Sequence, residues 1–316
     1  MYLLGFDIGG TKCAVVTAKW ENEEITLLKK DKCPTDRSLT PKEMIDKLMD
    51  MADAILEGEK PDAIGISCGG PLSSKTGTIL CPPNLPGWIN VPIVEQIEAR
   101  YGVKAHLQND ANACAVAEWK FGAGKGKSNV VFMTFGTGLG AGLILDGKLY
   151  RGTNGNAGEV GHIRLDSDGP VGFGKAGSFE GFCSGGGIAK LAWTKAHEAL
   201  IRGVTPLYYR EGMTESEVTA GTVAEAAHKG DATALEVYRI SGEKLGRGLA
   251  IIVDVLNPEL IVIGSIFARS GELLIDAMQK ELDREALLPS LNVTRVLPAE
   301  LGDSVGDYAA LAVALP

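Results

Sequence analysis

Aromatic residues make up only 6% of the chain, basic residues are outnumbered 31 to 40 by acidic ones, and no apolar run approaches the length of a membrane span. Each shortage removes a class of function. A net charge of −9 leaves no field for a nucleic-acid surface, and the densest basic stretch, Lys120 to Lys127, is short and spaced by glycine. The six cysteines, Cys13, Cys33, Cys68, Cys81, Cys114 and Cys183, form no C-x-x-C pair. Scattered thiols in apolar contexts predict a reduced, cytoplasmic protein without disulfides. Apolar sequence that reads as strand begins at Leu3, so neither a signal peptide nor a membrane partner is expected. A Gly-Lys-Ser/Thr phosphate loop is missing as well.

What the chain does contain is glycine at two matched places. At 316 residues it exceeds the size at which one core usually keeps growing, so two domains are expected. Asp7-Ile8-Gly9-Gly10-Thr11-Lys12 lies between the apolar Leu3–Phe6 and the β-branched Cys13–Thr17. Thr134-Phe135-Gly136-Thr137-Gly138 lies between Val130–Met133 and Ala141–Leu145. Both read as hairpins. A dinucleotide fingerprint needs a helix after its glycines, and a strand follows here. Glycine lets backbone N–H groups approach phosphate oxygens, and Thr11, Lys12 and Thr137 add hydroxyl and ammonium donors. The pairing points to a nucleotide held between two domains.

Between and after these turns the pattern is layered α/β. Thr40-Pro41-Lys42-Glu43 combines an N-cap, a first-position proline and a capping-box glutamate, and Met44, Leu48, Met51 and Ile55 continue at helical spacing. A strand over 63–67, a shaped loop at Pro82–Trp88, a helix near 94–101 and a strand over 103–107 complete the first half. Helices are predicted at 188–201, 222–228 and 232–256, the last stopped by Asn257-Pro258, with a buried strand at 260–263 and an alanine-rich helix over 304–314. The expected division is a smaller domain of residues 1–107, joined by the C-terminal helix 304–316, and a larger one of 108–303.

Asn109-Asp110 stands where a strand meets a helix, over 111–119. A carboxylate there can face a substrate hydroxyl, and either residue is equally an ordinary helix N-cap. Glu159 and His162, in Gly158-Glu159-Val160-Gly161-His162, and Glu180 lie on a glycine-rich stretch suited to a polyhydroxylated ligand, since each carboxylate accepts several hydroxyl protons.

Together these segments resemble the ROK family of sugar kinases and repressors, within the actin-like ATPase superfamily. The resemblance rests on Asp7-Ile8-Gly9-Gly10-Thr11-Lys12, Gly69-Gly70-Pro71, Asn84-Leu85-Pro86-Gly87-Trp88, Asn109-Asp110-Ala111-Asn112, Thr134-Phe135-Gly136-Thr137-Gly138-Leu139-Gly140, Gly155 to His162, Asn257-Pro258 and Gly302-Asp303. These occur in family order across nearly the whole chain. The resemblance implies a two-domain ribonuclease H-like α/β fold with an interdomain cleft, and an ATP-dependent hexose kinase, glucose being the expected substrate. Fructose or N-acetylated hexosamines are the alternatives, and a non-catalytic sugar-binding regulator is a further one. It implies Asp110 as general base toward the 6-hydroxyl, and Gly70, Asn84, Asn109, Glu159, His162 and Glu180 as sugar contacts. Asp7 would help place Mg²⁺. Gly9, Gly10, Thr11, Lys12, Thr134, Gly136, Thr137 and Gly138 would hold phosphates, and Gly264 would lie by the adenosine. A homodimer is expected.

One segment departs from the family. A C-x-C-G-x-x-G-C-x-E frame usually completes a zinc site with that histidine, but here Val171, Phe173 and Ser178 occupy the cysteine places while Gly174, Gly177 and Glu180 are kept. No structural zinc is expected. Burial of Val171, Phe173 and Phe179 is expected to pin the loop instead, each worth about 1.5–3 kcal/mol if complete.

Overall fold

The computed structural model of the chain describes residues 1–315. Its elements run β1 (Tyr2–Ile8), β2 (Lys12–Glu21), β3 (Glu24–Pro34), α1 (Pro41–Leu56), β4 (Ala63–Cys68), β5 (Leu72–Ser73), β6 (Thr78–Ile79), α2 (Ile93–Tyr101), β7 (Ala105–Asn109) and α3 (Asp110–Phe121). After them come β8 (Val130–Phe135), β9 (Leu139–Leu145), β10 (Lys148–Tyr150), β11 (Val171–Gly172), β12 (Lys175–Ala176), α4 (Phe179–Phe182), α5 (Gly185–Ile201), α6 (Ala220–His228) and α7 (Ala232–Leu256). The last are β13 (Leu260–Ile263), α8 (Ile266–Ser270), α9 (Ile275–Glu285), α10 (Leu288–Leu291), β14 (Arg295–Pro298) and α11 (Val305–Ala314).

Two five-stranded sheets share one plan. The first has the order β3-β2-β1-β4-β7 and the second β10-β9-β8-β13-β14. In the first, β1, β2 and β3 form an antiparallel meander, whereas β4 and β7 join β1 in parallel. In the second, β13 and β14 likewise extend β8 in parallel. The described residues divide into two compact units, one of 1–128, 142–157 and 300–315, the other of 129–141 and 158–299.

In the first unit the two faces of the sheet are set by the alternation of side chains along β1. Leu4, Phe6 and Ile8 point into a core with Met44, Ile45 and Leu48 of α1 and Ile97 of α2. Leu3, with Val16 and Ala18, packs on the opposite face against Leu311, Ala314 and Leu315. α1 begins as its sequence predicts: Thr40 accepts from the Glu43 amide, and the Glu43 carboxylate accepts from the Thr40 amide at 2.8 Å. α11 is alanine-rich because it lies almost flush on the sheet. A methyl group added at Gly65 would fall 1.9 Å from the Ala310 carbonyl oxygen. The outer strand β3 carries Lys29, Lys30 and Lys32, charges that discourage pairing with another edge.

In the second unit β13 is buried along its length and β8 at every residue but Thr134, as parallel strands covered on both faces must be. α7 buries twelve residues, and Asn257 ends it in the left-handed conformation at φ 46°. All six cysteines are free thiols, with Cys13, Cys68, Cys114 and Cys183 buried. Among the described residues no helix is long and apolar enough to cross a membrane.

Candidate active site

Parallel strands aim their carboxyl ends in one direction, and ligands of open α/β sheets bind at those ends. In the first unit Asp7 is in register with Ser67, and Cys68 with Asn109, so the ends of β1, β4 and β7 bring Asp7, Gly69-Gly70 and Asn109-Asp110 to the same edge. Asn109 is the residue that caps α3: its side-chain oxygen accepts from the amides of Ala111 at 3.0 Å and Asn112 at 3.5 Å. Asp110 occupies the first helical position with an exposed side chain, one oxygen of which accepts from the Ala111 amide at 2.8 Å. The first turn of a helix is an electrostatically favourable place for a carboxylate. A Cβ added at Gly69 would stand 3.8 Å from the other Asp110 oxygen, and one at Gly70 would stand 3.1 Å from the Asn109 amide nitrogen. These glycines keep the strand end open beside both side chains.

The first glycine turn closes with a hydrogen bond from the Gly9 amide to the Lys12 carbonyl at 3.1 Å. Thr35 fixes it from β3's end, its hydroxyl donating to the Gly9 carbonyl at 2.6 Å. Gly10 has to be glycine because a Cβ there would meet the Asn84 carbonyl oxygen at 2.6 Å. That contact seats the exposed Asn84 loop on the turn, with Leu85 and Trp88 buried beneath it. Thr11 and Lys12 are exposed.

Asp7 sits in strongly perturbed surroundings. Burial, reinforced by the carboxylates of Asp307 and Asp110, pushes its pKa from 3.8 up to about 6, against the opposing pull of Lys12 and Lys30. Asp307, on α11, is itself buried and paired with Lys30 at 2.6 Å. A Cβ added at the adjoining Gly306 would lie 2.8 Å from an Asp7 carboxylate oxygen.

In the second unit the other glycine turn is locked from inside. The Gly136 amide donates to the Gly138 carbonyl at 3.1 Å, and the Gly140 amide donates to the Thr134 hydroxyl at 2.9 Å. Thr137 is left exposed at the tip. The Gly136 carbonyl receives the Gly185 amide at 2.7 Å, which sets the N-terminus of the 17-residue α5 against the turn. Three glycines open that helix behind a Ser184 cap, so its amides stand without covering side chains. Gly264 is buried at the end of β13, its amide bonded to the Met133 carbonyl at 3.0 Å, and the next residue, Ser265, holds φ 52° with its hydroxyl near Gly136.

Glu159, His162 and Glu180 gather on the same side of this unit. Glu159 is exposed and precedes a single 3-10 turn, Val160–His162. Gly161 is required there, since a Cβ would fall 2.2 Å from the Leu139 carbonyl oxygen and 3.2 Å from the Glu180 Cβ. Glu180 lies in the first turn of α4, and its carboxylate accepts from the Leu139 amide at 3.0 Å. Glu180 is thus joined to the backbone that leaves the glycine turn.

The sequence pattern of the ROK family matches residues 3–315. The chain belongs to the ROK family. It is 34% identical over 305 residues to the glucokinase of Streptomyces coelicolor, covering 96% of this chain and 94% of that one. It is 30% identical over 319 residues to the glucokinase of Thermotoga maritima, covering 98% and 96%. The ROK family glucokinase from Streptomyces griseus, solved in complex with glucose and AMPPNP, superposes with a TM-score of 0.77 at 32% identity over 99% of both chains. The fold is accordingly that of the actin-like ATPases.

Within this ROK chain the zinc-frame segment forms the small hairpin β11–β12, and the expectation that apolar burial pins it is corrected. Phe179 is fully buried, but Val171 is 43% and Phe173 73% exposed. The reason is geometric: Phe173 and Gly174 form the tip of a hairpin whose strands are two residues each, and Phe173 takes φ 41° there. A tip has no second layer to bury against. Val171, Phe173 and Ser178 offer none of the sulfur or imidazole ligands that zinc prefers. Among the described residues no group of three His, Cys, Asp or Glu side chains is placed to hold a metal.

Sequence reasoning missed several residues that shape the ROK site. Asp307 and Lys30 are far apart in sequence, and nothing in either segment points to the other. Ser184-Gly185-Gly186-Gly187 reads as loop because three glycines oppose helix, yet serine before the first turn is the N-cap signal that could have moved the start of α5 to its place. Ser265 was reachable only through its conformation.

Proposed function

We propose that this ROK chain is an ATP-dependent hexose kinase that transfers the γ-phosphoryl group to the 6-hydroxyl of glucose. The observation that carries the reading is Asp110: its carboxylate is exposed at the end of β7 while Asn109 does the capping. Capping by Asn109 would not require an acid beside it. Support for the class comes from near full-length similarity to glucokinases, one of them solved with glucose and an ATP analogue.

Phosphoryl transfer asks little covalent chemistry of the protein, so positioning and charge stabilisation dominate. In this reading Asp110 orients the sugar hydroxyl and accepts its proton as the oxygen–phosphorus bond forms. Asn84, Asn109, Glu159, His162 and Glu180 hold the remaining hydroxyls, with Gly70 keeping the strand end open. Backbone amides of the turns at Gly9-Gly10 and Gly136–Gly138, with Thr11, Lys12 and Thr137, take the phosphates. Thr134 acts through its bond to Gly140, keeping the second turn in shape. Gly264 with Ser265 forms the corner against the adenosine.

The magnesium ion that accompanies ATP fits the residues present. Asp7 is a hard oxygen donor crowded by two further carboxylates, Asp307 and Asp110, a local excess of negative charge that favours a divalent cation. Mg²⁺ typically keeps its waters and takes one or two carboxylates plus substrate phosphates, which needs no cage of three protein ligands. When bound it neutralises charge on the β- and γ-phosphates.

The test is a coupled assay for ADP formation across glucose, mannose, fructose and N-acetylated hexosamines. Glucose-dependent ADP release is expected, with glucose 6-phosphate as product. No ATP consumption with any hexose would sink the kinase reading, and preference for another sugar would correct the substrate.

A further inference from the structure

Each of the three cysteine places in the hairpin frame has acquired a different fastening. The Val171 carbonyl accepts from the Lys190 ammonium at 2.7 Å. Ser178 caps α4 by accepting from the Gly181 amide at 3.1 Å, and its hydroxyl also donates to the Gly172 carbonyl at 3.4 Å. Phe173 sets its ring against that of His162, with centroids 5.1 Å apart and planes at 84°, an edge-to-face contact. Lys175, two residues on, donates to the His162 carbonyl at 2.6 Å. Arg164 and Phe179 add further ties, to the Ala176 carbonyl at 2.6 Å and the Ile163 carbonyl at 2.7 Å.

His162 is therefore gripped twice by one hairpin, at its ring and at its carbonyl. Phe173 is the informative member. A bulky residue at φ 41° is conformationally penalised, and with 73% of its surface exposed it gains little burial in return. Strain retained without core packing marks a residue kept for what it touches. Here that is the His162 ring, and an imidazole stopped from rotating presents its nitrogens in a fixed direction.

We propose that Phe173 and Lys175 are positioning residues that hold His162 for the sugar, a metal-free clamp standing where the family's frame carries zinc. The sugar part rests on the kinase reading above; the clamp itself rests on the contacts at His162.

The experiment combines kinetics, NMR and elemental analysis on the full-length protein. Phe173→Ala should raise the glucose KM, lowering kcat/KM for glucose roughly ten- to a hundredfold as a misplaced side chain does, with the ATP KM unchanged. Phe173→Tyr should restore it, Lys175→Met should shift the glucose KM in the same direction, and Lys175→Arg should restore that. The His162 ring protons should lose a ring-current shift in Phe173→Ala. Zinc should be far below one per chain, and activity should survive chelation once magnesium is returned. A native glucose KM in Phe173→Ala, an unmoved His162 resonance, or stoichiometric zinc whose removal abolishes activity would each overturn the clamp. A wild type that phosphorylates no hexose, with the His162 shift still lost in Phe173→Ala, would refute the kinase reading while supporting the clamp.

Discussion

The Glu180 carboxylate accepts the Leu139 amide at 3.0 Å, so a side chain at the start of α4 is fastened to the backbone that leaves the second glycine turn. One acid therefore links the loop that carries His162 to the second glycine turn, the two parts the kinase reading assigns to sugar and phosphate. Hydrogen bonds to charged groups contribute about 1.5–3 kcal/mol. Glu180→Ala is expected to raise the KM values of glucose and ATP together, lowering each kcat/KM roughly ten- to a hundredfold. Steady-state kinetics with each substrate varied in turn checks this; an ATP KM that stays put would show that the tie to Leu139 is idle.

Asp110 and Asn109 should separate cleanly. Asp110→Asn is expected to lower kcat by about 10²–10⁴-fold, the usual worth of a general base, while glucose binding and melting temperature stay near wild type. Asn109→Ala removes the cap as well as a proposed sugar contact, and should destabilise the fold by about 1 kcal/mol in urea unfolding while raising the glucose KM. Near-normal turnover in Asp110→Asn would take that residue out of the mechanism.

Asp7 is held at a cost to stability. Its pKa is raised from 3.8 to about 6 on folding, so between those values the folded chain binds more protons than the unfolded one, and stability falls as pH rises through that window. Above about pH 6 the penalty is complete; below about pH 4 it is gone. Asp7→Asn should therefore stabilise the chain at pH 8, by on the order of 2–3 kcal/mol, with the gain vanishing toward pH 4. The same variant should lose most ATP-dependent activity. Chemical denaturation of both proteins at pH 4.5, 6 and 8 tests the sign, and a gain that grew on acidification would contradict it.

Asp307 is one of the charges that raise Asp7, and it is neutralised in part by Lys30 at 2.6 Å. Asp307→Asn removes a carboxylate from Asp7's surroundings, so Asp7 should ionise at lower pH. The acidic limb of the pH profile of kcat/KM for ATP is expected to move to lower pH. A limb that moves upward would mean that Lys30, released from its partner, is not the dominant remaining influence.

The strands β1, β2, β4, β8, β9 and β13, the helices α1 and α7 and both glycine hairpins were legible in the sequence because period-2 and period-3.6 patterns depend only on which face is buried, whereas the exposed edge strands β3 and β14 and the helix α9 went unread. Thr40 and Glu43 announced α1, and Asn257 its opposite, the end of α7. The candidate site residues on those hairpins and at the end of β7 came from the family resemblance rather than from periodicity, and the structure brings Asp7, Gly69-Gly70 and Asn109-Asp110 to one sheet edge. What the sequence concealed were pairings between distant segments, such as Lys30 with Asp307 and Thr35 with Gly9, and the fate of residues at a turn tip. Phe173 looked like core from its type alone. Its surroundings, two-residue strands with nothing stacked above, decide otherwise, and type cannot report surroundings.

Both sheets repeat the order of a three-stranded meander followed by two parallel strands, so one backbone solution is used twice in this chain. In each copy the hairpin turn belongs to the scaffold, whereas the discriminating side chains come from segments inserted afterward, such as the stretch between β10 and α5. If the proposed kinase reading holds, recognition of a new sugar can evolve by rewriting an insertion, leaving both glycine turns and both sheets untouched.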